Sequence, residues 1–299
     1  MPELSFSRYE DVLFNMDTAD FQTEIMAAQA DFKPFLDGDL SNPAHVKYLK
    51  DFACDPMSRT FYQAVKESFP DLSYVRQVVE SVFAHFHYYY PDVQLPKKVF
   101  TCVSGLSQDV PSVQIIEGDM VISLDWYLEG NALYDAVGLP KYLSSRTGKA
   151  TIAKDVAMCL YQEYVYEWRK QTNLLDEMVA AGKADFFVEG LCPAIEDCVL
   201  LGYDEKQMQW VHDNEGSLWA DIVGNKRLYS TGLDMYMTFL ADGPFTQEYS
   251  NDAPARLGEF LGLRIIRSYM NSHNVSLPQL MANKDLLGIF QDSGYKPKK

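Results

Sequence analysis

Between Leu72 and Tyr90 the apolar residues Val75, Val78, Val79, Val82, Phe83 and Phe86 recur at intervals of three and four, and then the period breaks. That spacing lays apolar side chains along one face of an α-helix. Val99 to Val103, Val113 to Ile116 and Met120 to Leu124 are instead short β-branched or apolar runs, with turn residues at Gly105 and at Gly118-Asp119. Such runs read as strands. Gly118-Asp119 joins two of them closely enough to predict an antiparallel hairpin. After Trp126 helical spacing returns and persists. Helices, a small sheet and then helices again define an α+β fold, mostly helical, with a small antiparallel-containing sheet. No repeat, low-complexity tract or clear linker interrupts the 299 residues, so a single α+β domain over 1–299 is expected.

Leu4 to Phe6 reads as a short strand, and Thr18 or Asp20 as the cap of a helix ending near Phe32, with Pro34 just beyond. Asp55-Pro56 is a cap followed by a first-turn proline, for a helix reaching about Phe69. Further helices are expected near 150–170, 185–200, 204–225, 231–241, 254–270 and 276–290. The 254–270 segment is apolar on nearly all sides, and Gly258 and Gly262 admit the close approach of another backbone. It is predicted to be a buried core helix. Arg256 has Glu259 one turn away, whereas Arg264 and Arg267 have no acidic neighbour at i±3 or i±4. Their guanidinium groups therefore need carboxylates from other elements.

The formal charge of −16 argues against nucleic acid and anionic lipid surfaces, both of which demand clustered Lys and Arg. Five cysteines without a close pair give neither a zinc knuckle nor a disulfide framework. His85 and His87 fall in a helical pattern, where residues two apart point to different faces. No apolar stretch is long enough to span a bilayer. The start, Met-Pro-Glu-Leu-Ser, carries no basic region followed by an apolar run, so no signal peptide is expected in the chain as it stands. Glycine-rich phosphate loops and the G-x-S-x-G elbow are both absent.

The stretch Tyr161-Gln-Glu-Tyr-Val-Tyr-Glu-Trp168 lies in the helix expected over 150–170. Glu163 stands where a zinc-peptidase helix carries the base of H-E-x-x-H, but Gln162 and Tyr166 occupy the two histidine positions. Histidines at i and i+4 put two imidazoles on one helix face, which is how that motif grips zinc. An amide and a phenol are poor replacements. Glu163 follows the stripe of Ile152, Val156, Cys159 and Leu160, so it is expected to face a cleft. Glu189 lies 26 residues further on, within reach of the place where such peptidases supply a third ligand. Two binding modes remain open. Either no metal is bound and Arg264 or Arg267 pairs with Glu163 or Glu189 in its place, or carboxylates such as Glu163 and Glu189 hold a hard ion and Glu163 is catalytic.

Several segments, taken in order, resemble the gliding-motility lipoprotein GldB family of Bacteroidota. These include Phe69-Pro-Asp-Leu72, Leu124-Asp-Trp-Tyr-Leu128, Gly138-Leu-Pro-Lys-Tyr142 and Leu201-Gly-Tyr203. Gln207-Met-Gln-Trp210, Leu228-Tyr-Ser-Thr231, Ala253-Pro-Ala-Arg-Leu-Gly258, Ile266-Arg-Ser-Tyr-Met270 and the ending Tyr295-Lys-Pro-Lys-Lys299 are similar as well. That family is similar to predicted zinc-dependent peptidases. The resemblance therefore implies a zincin-like core and a lipoprotein of the cell envelope or periplasm, anchored through an N-terminal cysteine that this sequence does not contain. It implies other envelope proteins as partners, or a peptide ligand, and membrane attachment only through that lipid. With Gln162 and Tyr166 at the ligand positions, the expected protein is non-catalytic. It is expected to bind no zinc or other cofactor, and to use Gln162, Glu163, Tyr166, Glu189, Arg264 and Arg267 as a binding cleft. The alternative is a metal-dependent hydrolase with a non-standard carboxylate site.

Overall fold

The computed structural model describes residues 4–108, 110–130 and 132–297. The chain begins with β1 (Ser5–Arg8), followed by α1 (Tyr9–Asn15), α2 (Phe21–Ala28), α3 (Lys33–Leu36), α4 (Pro43–Cys54), α5 (Pro56–Ser68) and α6 (Ser73–Tyr89). The strands β2 (Lys98–Cys102), β3 (Val113–Ile116) and β4 (Asp119–Ser123) come next, then α7 (Ala132–Ala136), α8 (Lys141–Ser144) and α9 (Ile152–Tyr164). The remainder is helical: α10 (Leu174–Leu191), α11 (Asp197–Leu201), α12 (Glu205–Gly224), α13 (Leu233–Phe239), α14 (Leu257–Ser272), α15 (Leu277–Ala282) and α16 (Leu286–Ser293). This is the mostly helical α+β arrangement expected. The elements fall into two compact units, one of Met1–Ala84, Asp92–Val137 and Thr147–Cys159, the other of His85–Pro91, Gly138–Arg146 and Leu160–Lys299.

In the first unit the four strands form one mixed sheet in the order β1-β2-β4-β3. β1 runs parallel to β2, β2 parallel to β4, and only β3 and β4 are antiparallel. Val99, Phe100, Met120, Val121 and Ile122 of the two central strands are buried. Continuous apolar runs are what a strand covered on both faces requires. The hairpin turn sits one residue earlier than Gly118-Asp119. Ile116 pairs with Asp119, which leaves Glu117 and Gly118 as the two loop residues, at φ 52° and 86°. Two successive positive φ values are the type I′ turn that matches strand twist. α5 starts as its sequence dictates: the Asp55 carboxylate accepts from Ser58 N at 2.7 Å, with Pro56 in the first turn. Asp20 precedes α2, but its side chain makes no capping bond there.

Three buried carboxyls tie the first unit together. Asp125 accepts from the backbone N–H of Ser104 and of Leu106, each at 3.0 Å, and so fixes the loop in which Gly105 and Leu106 both have positive φ. Asp155 on α9 accepts from Tyr127 Oη at 2.7 Å and from Ser112 Oγ at 3.1 Å. Glu10 accepts from Thr101 Oγ1 and from Arg8 Nε, each at 2.9 Å. Burial pushes all three carboxyls upward, and the hydrogen bonds they accept oppose it.

The second unit is built on α10 and α14. Both are buried round most of their circumference, α14 with Leu257, Phe260, Leu261, Leu263, Ile265 and Ile266 inside. A β-carbon at Gly262 would lie 1.8 Å from the Met178 carbonyl oxygen, and one at Gly182 would lie 2.1 Å from the carbonyl carbon of Gly262. The two helices therefore cross backbone to backbone. The helix expected near 185–200 is two elements. α10 starts at Leu174, where the Asn173 side chain accepts from Asp176 N at 3.0 Å, and ends before Pro193; α11 follows. The helix expected over 276–290 is also broken, because Asp285 caps a fresh start by accepting from Gly288 N at 2.8 Å. α12 opens with a capping box between Asp204 and Gln207.

Candidate functional site

α9 buries Ile152, Val156, Ala157 and Leu160 and ends at Tyr164. The next two amides, Val165 N at 3.0 Å and Tyr166 N at 2.7 Å, both donate to the Tyr161 carbonyl. The chain thus leaves the helix in a wide turn, so Gln162 and Tyr166 do not share a helical face as the i, i+4 positions of a metal-binding helix would. Glu163 is exposed and not half-buried on the apolar stripe. Leu160, three residues earlier, is buried, so Glu163 lies beside the stripe and not on it. Among the described residues no ion pair reaches it. Gln162 and Tyr166 are exposed as well.

Glu189 lies on α10 in a different setting. Its carboxylate accepts from Arg267 Nε at 2.9 Å, and Arg267 turns its other two nitrogens to Asp197 at 2.8 and 2.5 Å. Arg267 thereby joins α14 to α10 and to the first residue of α11. Arg267 holds the Asp197 carboxyl below the ordinary range, aided by the charges of His212 and Arg264 and opposed by burial. The Arg267 guanidinium is raised in turn, chiefly by its bonds to Asp197. Arg264 pairs with Glu215 of α12 at 2.9 Å, and Tyr295 Oη donates to the same carboxylate oxygen at 2.7 Å. The two arginines without acidic neighbours on their own helix thus find them on three others. Arg256 takes Glu259, one turn along α14.

Of the expected site residues, the structure joins Arg267 to Glu189, gives Arg264 a different partner and leaves Gln162, Glu163 and Tyr166 apart from both arginines' ion pairs. These residues do not fit a zinc centre. The one buried-side carboxylate among them already accepts from a guanidinium, and the other candidate donors are an amide, a phenol and an exposed acid.

Sequence reading missed Asp197, Glu215 and Tyr295, whose roles follow from packing between helices distant in sequence. It also missed Lys183, only 7% exposed within α10. Lys183 Nζ donates to the carbonyls of Asn283 at 2.7 Å and Met281 at 3.2 Å, where the chain breaks between α15 and α16. Burial, with help from Arg169, lowers its pKa to about 8. A lysine in the otherwise small and apolar run Val179-Ala-Ala-Gly-Lys-Ala184 was the available signal.

Between α9 and α10 the loop 165–173 is pinned at several points. Glu167 forms an ion pair with Lys284, Arg169 makes two parallel bonds to Glu177 at 2.8 and 2.6 Å, and Thr172 Oγ1 donates to Asp176 at 2.6 Å. Between Glu167 and Arg169 the Trp168 side chain is 81% exposed.

A family model described as gliding motility protein GldB matches residues 1–297. No curated protein and no solved structure matches the chain.

Proposed function

The chain belongs to the family of gliding motility protein GldB, and on that premise we propose that it is a non-catalytic cell-envelope protein that binds a partner on a zinc-peptidase-like scaffold. The family's lipoprotein designation implies the envelope, and no helix of the described residues is long and apolar enough to cross a membrane. The observation that carries the non-catalytic reading is the ion pair of Glu189 with Arg267. A carboxylate that accepts a charge-assisted bond from a guanidinium is a poor metal ligand and a poor base. The end of α9 supports the same reading, because Glu163 there is exposed to water and Gln162 and Tyr166 beside it are an amide and a phenol. The pinned loop with exposed Tyr166 and Trp168 supports binding, since rigid aromatic side chains held in water are typical interface anchors.

The test is to supply purified protein with zinc and a mixed peptide library and follow cleavage by mass spectrometry. Protein and its Glu163→Ala variant are expected to behave alike, with no turnover. Zinc-dependent cleavage lost in Glu163→Ala would overturn the non-catalytic reading and favour a carboxylate-based hydrolase.

A further inference from the structure

Among the described residues Lys183 is the one buried lysine, and no ion pair includes it. Its ammonium meets two carbonyls instead, that of Met281 in the last turn of α15 and that of Asn283 just beyond it. A cation against the open carbonyls of a helix end is favourable, but it does not replace a counter-ion at a buried site. The charges that act on the ammonium come from two neighbouring segments. Arg169 of the loop 165–173 and Lys284 of the break 281–285 oppose its proton, and Glu167 of the loop favours it. Glu167 is itself paired with Lys284, and Arg169 with Glu177. Asp185, two residues along α10, acts on Arg256 and Tyr203. The charges of α14 are taken up in the pairs Arg256–Glu259, Arg264–Glu215 and Arg267–Glu189. Asp285 caps α16.

The elements on either side of the ammonium differ in how firmly they are held. α10 cannot give way, because it crosses α14 backbone to backbone at Gly182. The stretch from Met281 to Gly288 buries no side chain, and neither does the loop from Val165 to Asn173. The two are joined by Glu167–Lys284, whose side chains are 71% and 75% exposed, so the pair contributes little. Segments with so little buried surface open locally at low cost. With 281–285 swung away, water reaches the ammonium and stabilises its charge. With the segment closed, burial disfavours the charged form.

We propose that residues 281–285, with the 165–173 loop fastened to them, form a flap over Lys183 that opens when the lysine takes up a proton and closes when it gives the proton up. The closed state holds the lysine at a pKa of about 8, against 10.5 for a solvated one. Between those values the ratio of closed to open flap gains about tenfold per pH unit, and below about pH 8 the bias toward opening is at its full extent. The flap governs the order of the loop that carries Trp168, whatever that loop binds.

The test is amide hydrogen exchange read by mass spectrometry from about pH 7 to about pH 10, with each rate corrected for its intrinsic pH dependence. Peptides covering 165–173 and 281–288 are compared with peptides of α14. The flap peptides should be at least about tenfold less protected than α14, and their protection should rise by up to about tenfold per pH unit above about pH 8. In Lys183→Met, which has no proton to bind, and in Lys183→Arg, which keeps its own, that rise should be absent. Flat protection in the unaltered protein overturns the proposal, and so does the same rise in either variant. Flap protection equal to that of α14 also overturns it, because the segment then opens only when the whole unit unfolds. The pH series on the unaltered protein decides the matter even where a variant fails to fold. None of these readouts depends on peptide cleavage, so the proposal and the non-catalytic reading fail separately.

Discussion

The Arg267 side chain of α14 reaches Glu189 of α10 at 2.9 Å and closes a bidentate pair with Asp197 on α11, so one guanidinium fastens three helices. Arg267→Met is expected to leave two partly buried carboxylates facing each other. Because all three groups are partly exposed, the loss should fall in the lower part of the ~1.5–3 kcal/mol range for hydrogen bonds to charged groups. Urea denaturation measures it, with Glu163→Gln as a comparison expected to stay within about 0.5 kcal/mol of the parent.

The same pair sets a dependence on acid. Arg267 holds the Asp197 carboxyl below its unfolded value. Its stabilisation is therefore fully present above the ordinary carboxylate pKa of about 3.9 and is lost as pH falls through the lower, folded value. In Arg267→Met the fall in stability below about pH 4 should be shallower, as thermal unfolding across an acid series will register.

Lys183 behaves in the opposite region of pH. Its folded pKa of about 8 lies below the ordinary lysine value of 10.5. Between those values the unfolded chain binds more protons, so this group's contribution to stability rises with pH across that window. Reductive ¹³C-methylation followed by NMR should reveal one lysine titrating near pH 8, absent from Lys183→Arg; a uniform set of lysines at ordinary values would refute the burial argument.

Gly262 admits no side chain. Gly262→Ala places a β-carbon 1.8 Å from the Met178 carbonyl oxygen. Its cost should meet or exceed the upper end of the ~1–3 kcal/mol usual for overpacking, because backbone cannot move aside as a flexible side chain can. Gly224→Ala is the control: nothing lies within 4 Å of its added carbon, and the substitution should stabilise α12 by about 0.4–1 kcal/mol.

Loss of the Asp55 cap through Asp55→Ala should cost about 1 kcal/mol, since Ser58 N then loses its acceptor at the start of α5.

Local signals in the sequence were read well where a single element decides the outcome. Val75 to Phe86 specified α6, Asp55-Pro56 specified the start of α5, and the glycines of α14 announced a close helix contact. The isolation of Arg264 and Arg267 on their helix also predicted partners elsewhere. The end of α9 was not legible, because Tyr-Val-Tyr keeps the helical spacing of apolar residues while the helix has already ended at Tyr164. The parallel pairing of β1 with β2 joins residues about 90 positions apart, and no local pattern encodes it. The two compact units interleave along the chain, so no linker marks them in the sequence.

The crossing of Gly182 and Gly262 also fixes when the second unit can assemble. The two glycines are 80 positions apart, and α10 is apolar on almost every side until α14 arrives to cover it. A contact of such long range forms late and leaves sticky surface uncovered meanwhile. A chain emerging residue by residue therefore carries α10 as unsheltered cargo until nearly nine-tenths of it has been made.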